Sequence, residues 1–308
     1  MAAIASPRTA FAVPAPRKAH RRVSALWRLA PGATLIGAVA LAALAGPALV
    51  PYAPDAQTIG ERLGAPSAAH LLGTDAFGRD VLSRLLAGAR ISLAVGVLSM
   101  VVTVGVGVAV GAVAGYFGGK ADALLMRLTE LVMVFPTFFL IILVVASFGS
   151  NVALLVLVIG LTSWPVGARI VRGEVLRTKA RDFILAAHAS GATSWRIIAR
   201  HVLPSVAAVI IVSATIRIGV NILLEAGLSY LGLGVQPPLA SWGNMIAEGA
   251  RVFRSAPWLV AFPAAAMFAA VLGINLLGES LRDVLDPRLG ASRAAGGAGR
   301  QARPRGAA

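Results

Sequence analysis

Long apolar stretches alternate with short polar segments along most of the chain. A helix needs about 20 apolar residues to cross a bilayer, and six of the stretches approach or exceed that length. They cover residues 33–50, 91–117, 124–148, 152–167, 205–234 and 259–277. The pattern therefore predicts an all-α polytopic membrane protein with six transmembrane helices.

The composition agrees with a membrane protein. The chain of 308 residues is 57% hydrophobic and 13% charged, with a mean hydropathy of +0.81, which is unlike soluble proteins. It has no cysteine, which excludes disulfides, thiolate metal sites and a cysteine nucleophile. The histidines lack the spacing of metal-binding motifs, so each is interpreted as structural or solvated. They are His20, His70, His188 and His201.

The distribution of charge predicts the orientation of the chain. The formal net charge is +15, but the cations flank apolar blocks and do not form a basic domain with interleaved aromatic residues. No nucleic acid partner is therefore expected. With six spans and both termini in the cytoplasm, and with Arg127 counted with the turn before the third span, 21 of the 28 lysines and arginines lie inside and six lie outside, which leaves Arg217 within a span. This asymmetry follows the positive-inside rule.

The polar segments divide the chain into four parts. Residues 1–32 are basic and contain several prolines, and they are predicted to form a partly disordered cytoplasmic tail. Residues 33–90 hold the first span and an external loop, and that span is longer than the apolar part of a usual signal peptide. Residues 91–289 form the helical core. Residues 290–308 are predicted to be a disordered basic tail.

The first external loop, 51–90, carries two acidic and two basic residues close together. They are Asp75, Arg79, Asp80 and Arg84. Such a set forms either an acid/base or metal site, or a solvated turn whose charges pair with one another, and the turn is the favoured interpretation. An amphipathic helix is predicted to follow it and to lead into the second span.

The second external loop is predicted at 237–255. It begins with two consecutive prolines, which prevent the preceding helix from continuing. Trp242 and Trp258 are predicted to lie at the boundary between membrane and water, where the amphipathic indole ring is favoured.

Glycines recur every four residues in the second span, at Gly107, Gly111 and Gly115. This spacing places bare backbone on one face, where another helix can approach closely. The glycines continue into GYFGGKA, which is not a phosphate-binding loop because Ala121 stands where a serine or threonine must bind Mg²⁺. The chain therefore has no nucleotide motif of its own.

The fifth span holds polar residues spaced every four positions. They are Arg217, Asn221, Glu225 and Ser229, and the spacing places them on one stripe of the helix. Polar and charged groups at this depth are costly in lipid, so the stripe must face protein or water. It either lines a substrate path or forms a structural seam against a partner subunit, and the sequence leaves both open.

The longest polar segment between two spans, 169–204, is strongly basic. Apolar and small residues at helical spacing, interrupted at Gly191, predict a helix–turn–helix that ends at Pro204. Phe183, Ala186, Ala187 and Ser190 fall on one side of its first helix. The segment is either a docking site for another protein or a membrane-surface loop whose cations fix orientation, and the pattern leaves both open.

This segment resembles the loop, named EAA after its sequence, with which permease subunits of ABC importers dock on their ATPase. The matching residues are Ala186, Ala187, Gly191, Ile197 or Ile198, Leu203 and Pro204. Leu185 departs from the pattern, because the family usually has a glutamate there. Asp182, one turn earlier, is the candidate for the missing carboxylate.

Three further stretches resemble the dipeptide, oligopeptide and nickel permeases among these importers. They are HLLGTDAFGRDVLSRLLAGARISL at 70–93, EAGLSYLGLGVQPPLASWGNMI at 225–246 and LGESLRDVLDPRL at 277–289. With the 169–204 loop they make four separate signatures in the family's order.

The resemblance implies a type I importer permease with the MetI-like fold, spanning the inner membrane several times with both termini in the cytoplasm. Its partners are expected to be a second homologous permease, two ATPase subunits and an extracytoplasmic binding protein. ATP and Mg²⁺ belong to the ATPases, so no cofactor and no catalytic residue is expected in this chain. The 182–192 helix is expected to couple to the ATPases. The coupling residues are Asp182, Leu185, Ala186, Ala187, Gly191, Ile198, Leu203 and Pro204.

The resemblance favours di- or oligopeptides as cargo, with nickel and glutathione as alternatives. From the residues alone, an ion-coupled secondary transporter is the competing class, but it needs carboxylates at the membrane midplane and only Glu225 qualifies. An intramembrane enzyme needs a nucleophile–base pair or a histidine metal cluster, and no predicted span contains a histidine.

Overall fold

A computed structural model of the protein describes residues 18–285. Regular structure in this range is helical, apart from one isolated bridge between Thr74 and Asp80. The helices are α1 (Lys18–Leu49), α2 (Val81–Phe117), α3 (Gly119–Val134), α4 (Thr137–Phe148), α5 (Val152–Lys179), α6 (Asp182–Ala189), α7 (Ser194–Ile197), α8 (Leu203–Tyr230), α9 (Trp242–Ala250) and α10 (Trp258–Leu285). A short 3₁₀ turn, Ile59–Glu61, precedes α2, and a π-helical turn, Ile198–Val202, joins α7 to α8. The predicted all-α class is confirmed.

Five helical runs within residues 18–285 are long and apolar enough to cross a membrane. They are α1, α2, α5, α10 and the run Ser194–Tyr230 that contains α8. The sixth predicted span exists only if α3 and α4 count as one, because they meet at an angle of 78°. Pro136 lies at this break, since proline cannot donate a helical hydrogen bond and disfavours helical backbone in the preceding residue. The predicted third span, 124–148, therefore corresponds to a bent pair of helices and not to one straight helix.

Two helices begin earlier than predicted. Helix α1 begins at Lys18, so residues 18–32 of the predicted, partly disordered tail are helical. The rest of that tail and the tail predicted at 290–308 lie outside the described residues. Helix α2 begins at Val81, so the predicted amphipathic helix and the second span are one continuous helix.

Two helices also end later than predicted. Helix α5 continues beyond residue 167 to Lys179, so the first residues of the predicted 169–204 loop are its last turns. Helix α10 continues beyond residue 277 to Leu285. In both cases the helix extends into a polar segment, because apolar stretches mark the part of a helix that lies in lipid and not its end.

The glycine stripe of α2 packs directly against α5, as its spacing predicted. A Cβ atom added at Gly111 would lie 2.5 Å from the carbonyl oxygen of Ala168. At Gly115 it would lie 2.9 Å from the carbonyl oxygen of Arg172. The two backbones are thus in contact, and this pairing is the central packing of the fold. Helices α1 and α10 make a similar contact at Gly32 and Gly273.

Helix α2 places two ends of the molecule far apart. With 37 residues it is about 55 Å long. Its first residues lie beside α9 and the 51–80 segment, and its last residues lie beside α6 and α7. We call these the α9 end and the α6 end. Between them, large apolar side chains remain exposed along the sides of the bundle, among them Val101, Phe139, Leu143 and Phe268. Lipid or a second subunit must cover these sides.

Candidate functional site

The helix–turn–helix predicted around Gly191 is present at the α6 end. Gly191 has φ of +79°, a conformation that favours glycine, and it lets the chain turn between α6 and α7. Its amide donates to the carbonyl of His188 at 2.9 Å. A Cβ atom at this position would meet nothing within 4 Å, so the turn needs glycine for its backbone and not for space.

Helix α6 has one buried side chain and an apolar outer face. Ile184 is fully buried, in a cluster with Val175 and Ile197 beneath the helix. In contrast, Phe183 is 43% exposed and Leu185 is 58% exposed, and Trp195 of α7 is 63% exposed. Exposed aromatic and aliphatic side chains on a helix anchored from below are typical of a protein-docking surface. We call Phe183, Leu185, Ala186 and Trp195 the α6 face.

The eight predicted coupling residues do not all lie on this face. Four of them are exposed on α6 or at its turn, namely Asp182, Leu185, Ala186 and Gly191, and Ala187 is half-buried. Ile198 is buried in the chain's own core, where it supports the loop. Leu203 is half-buried and Pro204 is exposed. Asp182 makes no ion pair within residues 18–285 and lies in the first turn of α6, where its charge suits the helix dipole.

Pro204 does not end the helix–turn–helix, contrary to the prediction. It lies in the first turn of α8, and helical backbone both precedes and follows it. The π-helical turn before it carries the chain from α7 into α8 without a loop. The α6–α7 segment is therefore joined to the fifth span by continuous helical backbone.

The last turn of α2 holds α6 in place. The Tyr116 hydroxyl and Nε2 of His188 form a hydrogen bond of 2.8 Å. Lys179 donates from Nζ to the Tyr116 carbonyl at 2.5 Å and lies 5.4 Å above the Tyr116 ring. Next to them, Phe117 meets Trp195 edge to face, with ring centroids 5.5 Å apart. His188 and Lys179 therefore have structural roles, and displacement of α6 must strain its contacts with α2.

Most of the polar stripe of α8 is buried inside the chain. Asn221 and Glu225 are fully buried, and Ser229 is 4% exposed. The Glu225 carboxylate accepts hydrogen bonds from Ser92 of α2 at 3.1 Å and from Ser229 at 2.6 Å. The backbone amide of Trp242 donates to the same Ser92 hydroxyl at 3.2 Å. These hydrogen bonds form a polar seam that joins α8, α2 and α9 within one chain. That Asn221, Glu225 and Ser229 line a substrate path stays a prediction.

Two other predictions concern this region. Trp242 is only 1% exposed and lies in the core of the chain, and its position at the membrane boundary stays a prediction. Its indole N–H donates to the Leu85 carbonyl at 3.2 Å, which satisfies the polar atom inside the core.

Arg217 lies apart from the seam, beside a small cavity of about 50 Å³ that Gly107 also lines. Within residues 18–285 Arg217 forms no ion pair, so no described residue neutralises its charge.

The α9 end contains a buried ion quartet, formed by Asp75, Arg79, Arg84 and Glu248. Arg79 donates to Asp75 and to Glu248, each at 2.6 Å. Arg84 donates to Glu248 at 2.6 Å and to Asp75. Burial alone raises the pKa of Asp75, but hydrogen bonds from the Arg79 amide and the charges of Arg84 and Arg79 outweigh it, and the pKa lies below its ordinary value. The predicted mutual pairing is present, but the predicted solvation is wrong.

His70 connects this end to the start of α2. Its Nδ1 lies 2.8 Å from Asp80 and its Nε2 lies 2.7 Å from Glu61, and the Tyr52 ring stacks on the imidazole at 4.5 Å. Asp80 in turn caps α2 by accepting from the Ser83 amide at 2.7 Å. The hydrogen bond to Asp80, opposed by burial and reinforced by Glu61, raises the pKa of His70 above its ordinary value of 6.5.

The His70 contacts predict a pH dependence of the 51–80 segment. A pKa raised by folding stabilises the fold fully below pH 6.5, and the gain is lost as the pH rises through the raised pKa. Amide hydrogen exchange in this segment, corrected for intrinsic rates, is therefore expected to be slower at about pH 5.5 than at about pH 8. His70→Gln should abolish the difference, whereas His201→Gln at the α6 end should retain it. An unchanged pH dependence in His70→Gln would contradict the assignment.

Comparison with known proteins identifies the chain's family. The family described as "Binding-protein-dependent transport system inner membrane component" matches residues 107–291. The chain belongs to this family. It is thus an inner-membrane permease component of a binding-protein-dependent importer, as the four sequence signatures predicted. The matched region holds the α2 glycine stripe, the α6 face, the polar stripe of α8 and α9.

Three relatives are similar over most of their length. The glutathione transport system permease of Pectobacterium atrosepticum is 44% identical over 78% of this chain and 80% of its own. The dipeptide transport system permease of Alkalihalophilus pseudofirmus is 38% identical over 84% of this chain and 85% of its own. The oligopeptide transport system permease of Haemophilus influenzae is 42% identical over 71% and 70%.

Proposed function

We propose that this chain is one of two permease subunits of an ATP-driven importer for small peptides. The relatives named above transport dipeptides, oligopeptides or glutathione, which are all peptide-like molecules. A second homologous permease completes the path, two ATPase subunits supply the energy, and an extracytoplasmic binding protein delivers the cargo. Nickel and glutathione are the alternative cargoes.

The orientation follows from the charges. The α6 end carries the basic segment and lies in the cytoplasm with both termini, and the α9 end lies outside. In this orientation the α6 face meets the ATPases, and α9 and the 51–80 segment meet the binding protein. The chain itself binds neither ATP nor Mg²⁺.

The observation that supports coupling most directly is the construction of the α6 face. Its apolar side chains are exposed, while Ile184 beneath them is fixed in the core. Motion of a docked ATPase reaches α2 through the Tyr116–His188 hydrogen bond and α8 through the π-helical turn. Both helices line the bundle, so ATP-driven closure tilts them together and alternates access to the path.

Ala186→Asp is expected to break this coupling. The substitution places an unpaired charge in the centre of the α6 face, where docking of the ATPase would bury it at a cost of several kcal/mol. Peptide uptake should fall by about tenfold or more, and the ATPases should no longer co-purify with the permease. Uptake is measured with a labelled dipeptide in membrane vesicles supplied with ATP and the binding protein, and co-purification is measured through a tag on this chain.

Ala56→Asp is the matched control. Ala56 is exposed in the 51–80 segment at the opposite end, so the same chemical change should leave ATPase co-purification intact. Normal co-purification and uptake by Ala186→Asp would refute docking at this face. In the same vesicles, competition by unlabelled oligopeptide, glutathione or Ni²⁺ distinguishes the cargoes, and inhibition by Ni²⁺ alone would contradict peptide import.

A further inference from the structure

A cleft of about 430 Å³ opens at the α9 end. It lies between the 51–80 segment, the end of α8 with the residues that follow it, and α9. Its volume is within the range of small-molecule sites, about 300–1,000 Å³. Arg79, Glu248 and Ser229 border it, but the charges of Arg79 and Glu248 are already paired and the Ser229 hydroxyl already donates to Glu225. The groups available to a ligand are therefore others.

Arg251 supplies the one charge in the cleft that is not neutralised by a neighbour among the described residues. The quartet of Asp75, Arg79, Arg84 and Glu248 has two charges of each sign and binds them internally. Arg251 lies at the C-terminal end of α9, is exposed, and forms no ion pair within residues 18–285. The cleft thus offers a net positive charge on a side chain suited to a carboxylate.

Two more side chains complete a peptide-like pattern. Gln236 donates from its amide nitrogen to the carbonyls of Gly232 and Gly234, at 2.9 and 3.1 Å, which leaves its oxygen to accept an N–H group. Phe77 is 49% exposed, and its ring is fixed by the Arg79 guanidinium 4.6 Å away. Together they offer an acceptor for a backbone amide and a flat apolar wall.

We infer that this cleft holds the carboxyl end of a peptide before it enters the path, which rests on the proposed function. Arg251 binds the C-terminal carboxylate, the Gln236 oxygen accepts the adjoining backbone N–H, and the last side chain lies on Phe77. Among the described residues that line the cleft, no carboxylate is left unpaired for the ammonium group. The site therefore recognises the carboxyl end and ignores the amino end.

The absence of cysteine in the chain allows a direct test of occupancy. Ala247→Cys places a single thiol in the lining of the cleft, and Ala250→Cys places one on the same helix outside it. The complete complex is reconstituted in lipid without the binding protein, and maleimide labelling of this subunit is followed over time. The probes are trialanine, its C-terminal amide and N-acetyl-trialanine.

Trialanine and N-acetyl-trialanine should slow labelling of Ala247→Cys and leave Ala250→Cys unaffected. The amide should need roughly tenfold more peptide for the same protection, as expected when one charge-assisted hydrogen bond is lost. Arg251→Gln in the Ala247→Cys background should remove the preference for the free acid. Arg254→Gln, which changes an exposed arginine outside the cleft, should retain it.

Uptake of trialanine by the same preparation, with the binding protein added, separates the two proposals. Uptake without protection at Ala247→Cys overturns the cleft and leaves peptide import standing. Equal protection by the free acid and the amide, or loss of protection on N-acetylation, overturns the role of Arg251. Absence of uptake for trialanine and longer peptides contradicts the proposed function itself.

Discussion

Arg84→Leu is expected to destabilise the α9 end by about 3–5 kcal/mol, the usual cost of removing one partner from a buried ion pair. Arg84 is 3% exposed and donates to both carboxylates of the quartet. Its loss leaves Asp75 and Glu248 with Arg79 as their one shared counter-ion among the described residues. Leucine cannot satisfy either oxygen, so the 51–80 segment should separate from α9.

The effect is measured as the thermal midpoint of the purified subunit in detergent and as its abundance in the membrane. Arg62→Leu is the matched control, because Arg62 is exposed in the same segment and has no ion partner within residues 18–285. It should change the midpoint little. If Arg84→Leu were as stable as Arg62→Leu, the quartet would contribute nothing to the fold.

The second large effect is expected from Gly111→Ala. Its new methyl group would lie 2.5 Å from the Ala168 carbonyl oxygen and 2.9 Å from the Val171 Cβ, so α2 and α5 must move apart. Overpacking of this kind costs about 1–3 kcal/mol and occasionally more. Because the obstacle is backbone, no rotamer change relieves it, and a cost near the upper end of that range is expected.

Gly105→Ala provides a control in which stability is expected to change in the opposite direction. Gly105 lies on the same helix, is exposed, and has nothing within 4 Å of an added Cβ. Alanine is favoured over glycine in a helix by roughly 0.5–1 kcal/mol, so this variant should be slightly more stable than the parent. Thermal midpoints of both variants in the same detergent test the contrast. A similar shift for the two would show that the glycine stripe does not set the distance between α2 and α5.

Patterns that arise within one helix could be predicted from the sequence. The apolar stretches, the glycine spacing and the bend at Gly191 each depend on neighbours three or four residues away, and the structure contains all three. The ion quartet could be predicted only in part, because Glu248 is 164 residues from Arg84. The one sequence signal for the role of Glu248 is that it is the only acidic residue in 237–255.

The seam around Glu225 shows the same limit. The four-residue spacing predicted a polar stripe, but not that Ser92 and the Trp242 backbone would enclose it. The nine-residue helix α9 sits inside a segment predicted as a loop, although Ser241 and Asn244 form a capping box that marks its start. Its burial against α8 and α2, and not its own propensity, decides where Trp242 lies.

Helix α2 differs from the other candidate spans in having no interruption. Proline occurs in α1, α5 and α10, and the Ser194–Tyr230 run contains both Pro204 and a π-helical turn. Prolines and π-turns are where helices bend. When the bundle changes shape, bending is therefore expected in those four runs and at the break between α3 and α4, while α2 moves as one rigid rod whose ends, at Asp80 and at Tyr116, shift together.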